Sequence, residues 1–216
     1  MLLGALLELG LSRPAWSEQL QLLNLSPWEL VEKRVAKRGV AALHVDFEIQ
    51  AQARQWSPAQ VLERLEILPP RVAQNSAQTL RALIDAESQT QGREPETLTW
   101  SDHAGCDLLL DVAGFHLALS LLEIDQVFCT PLPLGVGHCL HHGHPVPNPN
   151  PAVAQLLLGK PQFRVDMQQE TITTTGAALL GGANFQLPKP FAPHKVGYGA
   201  GTSEFPISNV VRLSLI

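Results

Sequence analysis

The sequence predicts an α/β fold, a mixed sheet with packed helices in a single compact domain that carries a long proline- and glycine-rich ordered loop. Three observations predict it. Helical spacing dominates residues 1–98, strict two-residue alternation marks 41–49, and from residue 102 onward helices alternate with short strands. A chain of 216 residues and 23.5 kDa supports one ordinary core. The helix-rich half (1–98) and the α/β half (102–216) therefore read as parts of one domain, and no internal repeat is visible.

Met1 to Leu9 has helical composition and stops at Gly10, the residue type favoured just past a helix end. Glu18 to Leu23 makes a second short helix. Trp28 to Val35 and Ala41 to Ile49 read as strands around Lys37-Arg38-Gly39. In the second strand Ala41, Leu43, Val45, Phe47 and Ile49 alternate with Ala42, His44, Asp46 and Glu48, which gives one buried and one wet face, with His44 on the wet one. Ser57, Pro58 and Gln60 supply an N-cap hydroxyl, an N1 proline and a reciprocating N3 side chain, so a helix starts there. Pro69-Pro70 ends it, and helical spacing resumes from Val72 through Glu87 until Gly92.

Arg93 to Thr99 is polar and reads as a linker, followed by a helix from Asp102 through Leu122 and a strand over Gln126 to Thr130. From Pro131 to Pro151 proline and asparagine exclude helix and central strand, which predicts an ordered loop. Ala152 to Leu158 reads as a helix closed by Gly159, Gln162 to Asp166 as a strand, Gly176 to Leu180 as a short helix, and Lys195 to Leu213 as a glycine-interrupted strand pair.

Lys and Arg number 15 against 20 Asp and Glu, a net charge of −5 with no basic cluster, which disfavours nucleic acid and an acidic membrane surface as partners. Cys106, Cys129 and Cys139 show no paired spacing, which predicts a reducing compartment, the cytoplasm. The apolar run Met1 to Leu11 holds Glu8, lacks a basic lead and is too short to span a bilayer, so it is read as neither signal nor anchor.

Four of the eight histidines, His138, His141, His142 and His144, fall in one proline-fixed loop with Cys139. Imidazole and thiolate suit nickel or zinc, although a solvated polar loop explains the same run without a metal. Thr173, Thr175 and Gly176 open a helix whose free N–H groups suit a phosphate or carboxylate, or form a simply capped terminus. Gly197 to Thr202, including Gly199 and Gly201, resembles a backbone nest for an anion. Asp107 and Asp111 stand four residues apart on an otherwise apolar helix, where a buried carboxylate is costly unless paired, metal-bound or hydrogen-bonded. Hydrolase chemistry finds no support, since no G-x-S-x-G or S-x-x-K occurs.

Several of these segments occur in a familiar order: Asp107 to Gly114, Cys129 to Gly137, His142-Gly143, Pro145 to Pro147, Glu170 to Leu180, Gly197 to Thr202 and Asn209-Val210. Together they resemble the N-terminal region of the LarC family, the nickel insertion proteins of nickel-pincer cofactor biosynthesis. Leu3 to Gly10, the Lys37 to Gly39 turn and Glu87 before Gly92 extend the resemblance more loosely over the first half. It implies a cytoplasmic, lyase-class enzyme. Such an enzyme uses CTP with Mg or Mn to insert nickel into pyridinium-3,5-bisthiocarboxylic acid mononucleotide, forming nickel–sulfur and nickel–carbon bonds.

Under that resemblance Asp107 and Asp111 are the catalytic candidates. Glu170, Thr173, Thr175, Gly176, Gly199 and Gly201 would hold the mononucleotide, and His138, His141, His142 and His144 the nickel. Departures accompany it: the family's His-Phe-His-Glu stretch is Thr99-Trp100-Ser101-Asp102 here, and the proline of its Thr-Pro-Thr-Gly motif is Thr174. The chain is expected to lack the family's lead strand and its CTP-associated C-terminal domain, and hence to work with a separate C-terminal partner, as a homo-oligomer. The alternative is a degenerate homologue that binds nickel or a partner without chemistry.

Overall fold

The computed structural model describes residues 1–141 and 143–216, with His141 described by its backbone alone. Helices α1 (Leu2–Glu8) and α2 (Arg13–Gln21) precede a hairpin of β1 (Trp28–Lys37) and β2 (Val40–Ile49). Next come β3 (Gln55–Trp56), α3 (Pro58–Arg64), α4 (Pro70–Gln91), β4 (Trp100–Ser101) and α5 (Asp102–Leu121). The second half continues with β5 (Leu132–Leu134), β6 (His138–His141), β7 (His144–Pro147), α6 (Pro151–Leu156), β8 (Gln162–Arg164), α7 (Thr174–Gly181), β9 (Lys195–Ala200) and β10 (Val210–Leu215).

The central sheet has the order β1-β2-β9-β10. Its outer pairs are antiparallel over their full length, while β2 and β9 are parallel and meet only at Leu43↔Gly199 and His44↔Ala200. Local chemistry sets the elements. Arg38 (φ 51°) and Gly39 (φ 85°) form the left-handed pair that turns β1 into β2. At α3, Ser57 Oγ accepts from Gln60 N while Gln60 Oε1 accepts from Ser57 N, the expected reciprocal cap. The second helix of the first half starts earlier than its sequence pattern, at Arg13, because Pro14 suits a first turn. Pro69-Pro70 both ends one helix and starts the next, with Pro70 at the N-terminus of α4.

Alpha helix α5 is the axis of the main core. Leu109, Leu110, Val112, Ala113 and Ala118 are fully buried, and Trp16 of α2 donates from Nε1 to the Gly114 carbonyl at 2.8 Å. Each leucine withdrawn from water contributes about 1.5–3 kcal/mol. Among the described residues α5 alone is long and apolar enough to cross a membrane, but it is packed on most sides by α1, α2, α4 and α7, as a core helix is. A second apolar cluster, Leu132, Leu134, Val153, Leu157 and Ala177, joins β5, α6 and α7.

Three expectations are corrected. Gln126 to Thr130 is not a strand; Phe128 makes only an isolated bridge to Asn184. The segment 131–151 contains β5, β6 and β7, where Pro133, Pro145 and Pro147 are tolerated because these two-stranded ribbons leave each strand one free edge. Gly197 to Ala200 is extended strand, not a concave nest. α1 crosses it so closely that a methyl at Gly199 would overlap the Met1 carbonyl and Ala5 N, and one at Gly197 the Ala5 carbonyl.

Candidate functional site

Ligand sites in open α/β sheets form where parallel strands end and separate. Here the one parallel joint of the central sheet opens just past His44 and Ala200. Its rim is well built. His44 Nε2 lies 3.1 Å from Thr202 Oγ1, buried Lys37 donates from Nζ to the Thr202 carbonyl at 3.2 Å and pairs with Glu204, and Arg38 Nε donates to the Phe205 carbonyl at 3.1 Å. Gly201 N donates to the Asn209 carbonyl at 3.0 Å, and Asn209 Nδ2 to the Ser203 carbonyl at 2.8 Å. The loop after β9 is thereby pinned to the tip of the β1–β2 hairpin.

Beyond the joint, β2 presents Asp46 to α5. The helix answers with His103, Asp107 and Asp111, spaced by four residues along one face. Loss of hydration, and then the neighbouring Asp107 carboxylate, push the Asp111 carboxyl up to about 7; Asp46 adds to this and the Met1 amino group opposes it. Burial also raises Asp107, while His103 pulls it down and Asp46 pushes it up. These four side chains therefore sense one another electrostatically. Asp46 and His103 also line an open cleft of about 540 Å³ with Glu29, Phe47, Glu48, Ile49 and Gln50. Among the described residues no lysine or arginine lines it, while three carboxylates do, so it favours cations.

The first turn of α5 is fixed by Asp102. Its buried carboxylate accepts from Ser26 Oγ at 2.6 Å, Gln52 N at 2.7 Å, Trp56 Nε1 at 2.9 Å and Arg54 Nε. Burial alone would raise this carboxyl, but the donated hydrogen bonds outweigh it and hold Asp102 well below the usual carboxylate range. The loop between β2 and α3 is thus tied to the helix that carries the acidic stripe.

The predicted residues divide between two places. Asp107 and Asp111 stand on the same face of α5 as the cleft-lining His103 and interact with Asp46, with Gly199 and Gly201 at the parallel joint. Glu170, Thr173, Thr175 and Gly176 gather some way along the chain at the start of α7. There Thr173 Oγ1 accepts from Gly176 N at 3.2 Å, and fully buried Asn150 donates from Nδ2 to Glu170 and to Thr174 Oγ1 at 3.4 Å. That terminus is therefore capped by the chain's own groups, the plainer of its two readings.

His138 and His144 are exposed on the β6–β7 ribbon, where His138 opposes Pro147 and the His141 backbone opposes His144. The His141 side chain and His142 lie outside the described residues. Among the described residues no three His, Cys, Asp or Glu side chains converge to hold a metal ion. Cys106 and Cys139 are buried thiols whose titration burial pushes upward.

Sequence reasoning missed His103, Asp46, Asn150 and the Asp102 hub. His103 was legible, one turn before Asp107 on the same four-residue period. Asp46 was not, because its partner lies across the fold.

The family model described as "Nickel insertion protein" matches residues 1–216. The chain is 35% identical over 219 residues to a putative nickel insertion protein of Thermomicrobium roseum, covering 99% of this chain and 54% of that protein. It is 36% identical over 208 residues to a putative nickel insertion protein of Desulfotalea psychrophila, covering 94% and 53%. It is 31% identical over 223 residues to the pyridinium-3,5-bisthiocarboxylic acid mononucleotide nickel insertion protein of Desulfitobacterium hafniense, covering 100% and 54%. The chain thus spans about half the length of the curated relatives it matches, and no solved structure matches it. With a whole-chain family match over a mixed sheet whose parallel joint opens beside an acidic helix face, the chain belongs to the nickel insertion protein family.

Proposed function

We propose that this chain contributes the metal-accepting half of a nickel-inserting enzyme acting on pyridinium-3,5-bisthiocarboxylic acid mononucleotide, in the cytoplasm. One observation carries the reading: the His103, Asp107 and Asp111 stripe of α5 facing Asp46 where β2 and β9 part. Nickel is here a substrate. A divalent ion is drawn to the acidic cleft, and the thiocarboxylates of the substrate supply the soft ligands that the described side chains do not.

Forming a nickel–carbon bond at a ring carbon releases that carbon's proton. A base is then needed that is deprotonated near neutrality yet basic enough to accept it. Asp111, with its carboxyl at about 7, matches that requirement, and Asp107 beside it keeps the pair from ionising fully at lower pH. His103, at the cleft wall, is placed to relay the proton outward.

CTP with Mg or Mn is assigned to the additional C-terminal domain. At the start of α7 Thr173 already accepts from Gly176 N, and α1 packs against the β9 glycines, so the triphosphate is placed at neither and no step is routed through it. The alternative, a nickel-binding or interaction module without chemistry, draws on Thr99 and Ser101 standing where the resemblance expects histidines.

The test is cofactor maturation with the chain combined with a C-terminal partner domain. Asp111→Asn should lower the rate at least about tenfold while nickel uptake by the chain persists. The wild-type rate should rise with pH through about 7 as Asp111 loses its proton. A pH-independent rate, or an Asp111→Asn chain of unchanged activity, removes Asp111 from the role of base. Nickel uptake without any turnover by the wild type favours the module.

A further inference from the structure

We infer that the small cavity between α3 and β3 is a phosphate site. It would take the phosphate end of the mononucleotide whose ring faces the acidic cleft; the ligand's identity rests on the function proposed above, whereas the anion site does not. The cavity, about 120 Å³, is lined by Arg54, Gln55, Trp56, Gln60, Glu63 and Arg64. Two guanidiniums cover the buried Trp56 indole, Arg54 at 4.4 Å and Arg64 at 5.6 Å from its centroid.

Their donors are used differently. Arg54 spends Nε on Asp102 and Nη2 on Ser26 Oγ at 3.2 Å. Among the described residues Arg64 has no ion pair and no hydrogen bond, only the indole beneath it. A guanidinium resting on an aromatic face keeps its in-plane N–H edges free, and that fork matches two oxygens of a phosphate. Gln60 adds a donor: its Oε1 is held by Ser57 N at 2.9 Å, which leaves the amide NH₂ unused. Glu63, exposed on the rim, is an acceptor for ligand hydroxyls.

The location fits one elongated ligand. Arg54 and Trp56 both bind Asp102, and the next residue, His103, lines the acidic cleft, so the two cavities flank the first turn of α5. Glu29, Asp46 and Glu48 repel a phosphate from the cleft, whereas the second cavity offers the open guanidinium edge of Arg64.

Ribose 5-phosphate, titrated into the metal-free chain and followed by ³¹P NMR, tests this, with ribose as the control. Wild type should bind saturably, inorganic phosphate should compete, and ribose should not bind. Arg64→Gln should weaken binding about tenfold or more, and Arg64→Lys, which keeps the charge but not the fork, should fall between them. Absence of saturable binding by the wild type, or equal affinity in Arg64→Gln, overturns the proposal. If Arg64→Gln fails to fold by melting curve, Arg64→Lys decides: unchanged affinity there overturns the forked contact. The readout needs neither nickel nor turnover, so it can fail while nickel insertion holds, and the reverse.

Discussion

Asp102 and Asp111 lie on one helix and have the same side chain, yet their environments move them in opposite directions. Asp102 is buried among four donors, and Asp111 is half-buried beside another carboxylate. Stability follows these shifts. The folded chain keeps Asp102 ionised below its unfolded pKa, so its contribution is present above about pH 4 and is lost as pH falls through the depressed folded value. For Asp111 the folded pKa is the higher one, so a penalty accumulates as pH rises from about 4, where the unfolded group ionises, to about 7. Urea unfolding at pH 8 should therefore show Asp102→Asn losing about 3–5 kcal/mol, because Arg54 and its neighbours lose their anion. Asp111→Asn should be neutral or stabilised there. Equal losses would mean that the two carboxylates do not differ in burial and partnering as described.

At the scale of elements, the close approach of α1 to β9 shows what a sequence does and does not reveal. Gly197 and Gly199 were visible as small residues, but their reason lies in Met1 and Ala5, nearly two hundred positions away. Capping at Ser57, the alternation of β2 from Leu43 to Ile49 and the helix of Asp102 to Leu121 were legible because each is decided within a few residues, whereas Ala41 is exposed and Ala42 buried, the reverse of the expected pattern. The short ribbons near Pro133 and Pro145 were not, since a free strand edge is a property of the partner. Asp107 and Asp111 were found from helical period and apolar flanks, whereas Asp46 needed the sheet. Gly199→Ala should cost about 1–3 kcal/mol or more, because its methyl meets backbone that cannot turn aside. Thermal unfolding checks this, and Gly39→Asn, at an open turn position that asparagine tolerates, should change little.

Over the whole molecule, the order β1-β2-β9-β10 leaves two sheet edges, and they are defended unequally. β1 carries Glu29, Glu32, Lys33 and Arg34, and Arg13 binds Glu32 in a forked pair at 2.7 Å, all of which discourage another strand. β10 reads Val210, Val211, Arg212, Leu213, Ser214 and Leu215, with one charge, and Ile207 and Ile216 beside it are more than half exposed. An apolar, nearly uncharged edge pairs most readily with its own antiparallel copy about a twofold axis, where each residue meets its symmetry mate's neighbour. The isolated chain should consequently dimerise as concentration rises, by light scattering coupled to size exclusion. Ser214→Lys places a second cation beside Arg212 on the same open face, so that like charges oppose across the twofold, and should shift the chain toward monomer without lowering its melting temperature. A wild type that stays monomeric throughout, or a Ser214→Lys chain that dimerises equally, would show that this edge is not the one used. The acidic cleft lies at the β1 and β2 side of the sheet, so pairing through β10 leaves it open to metal and substrate.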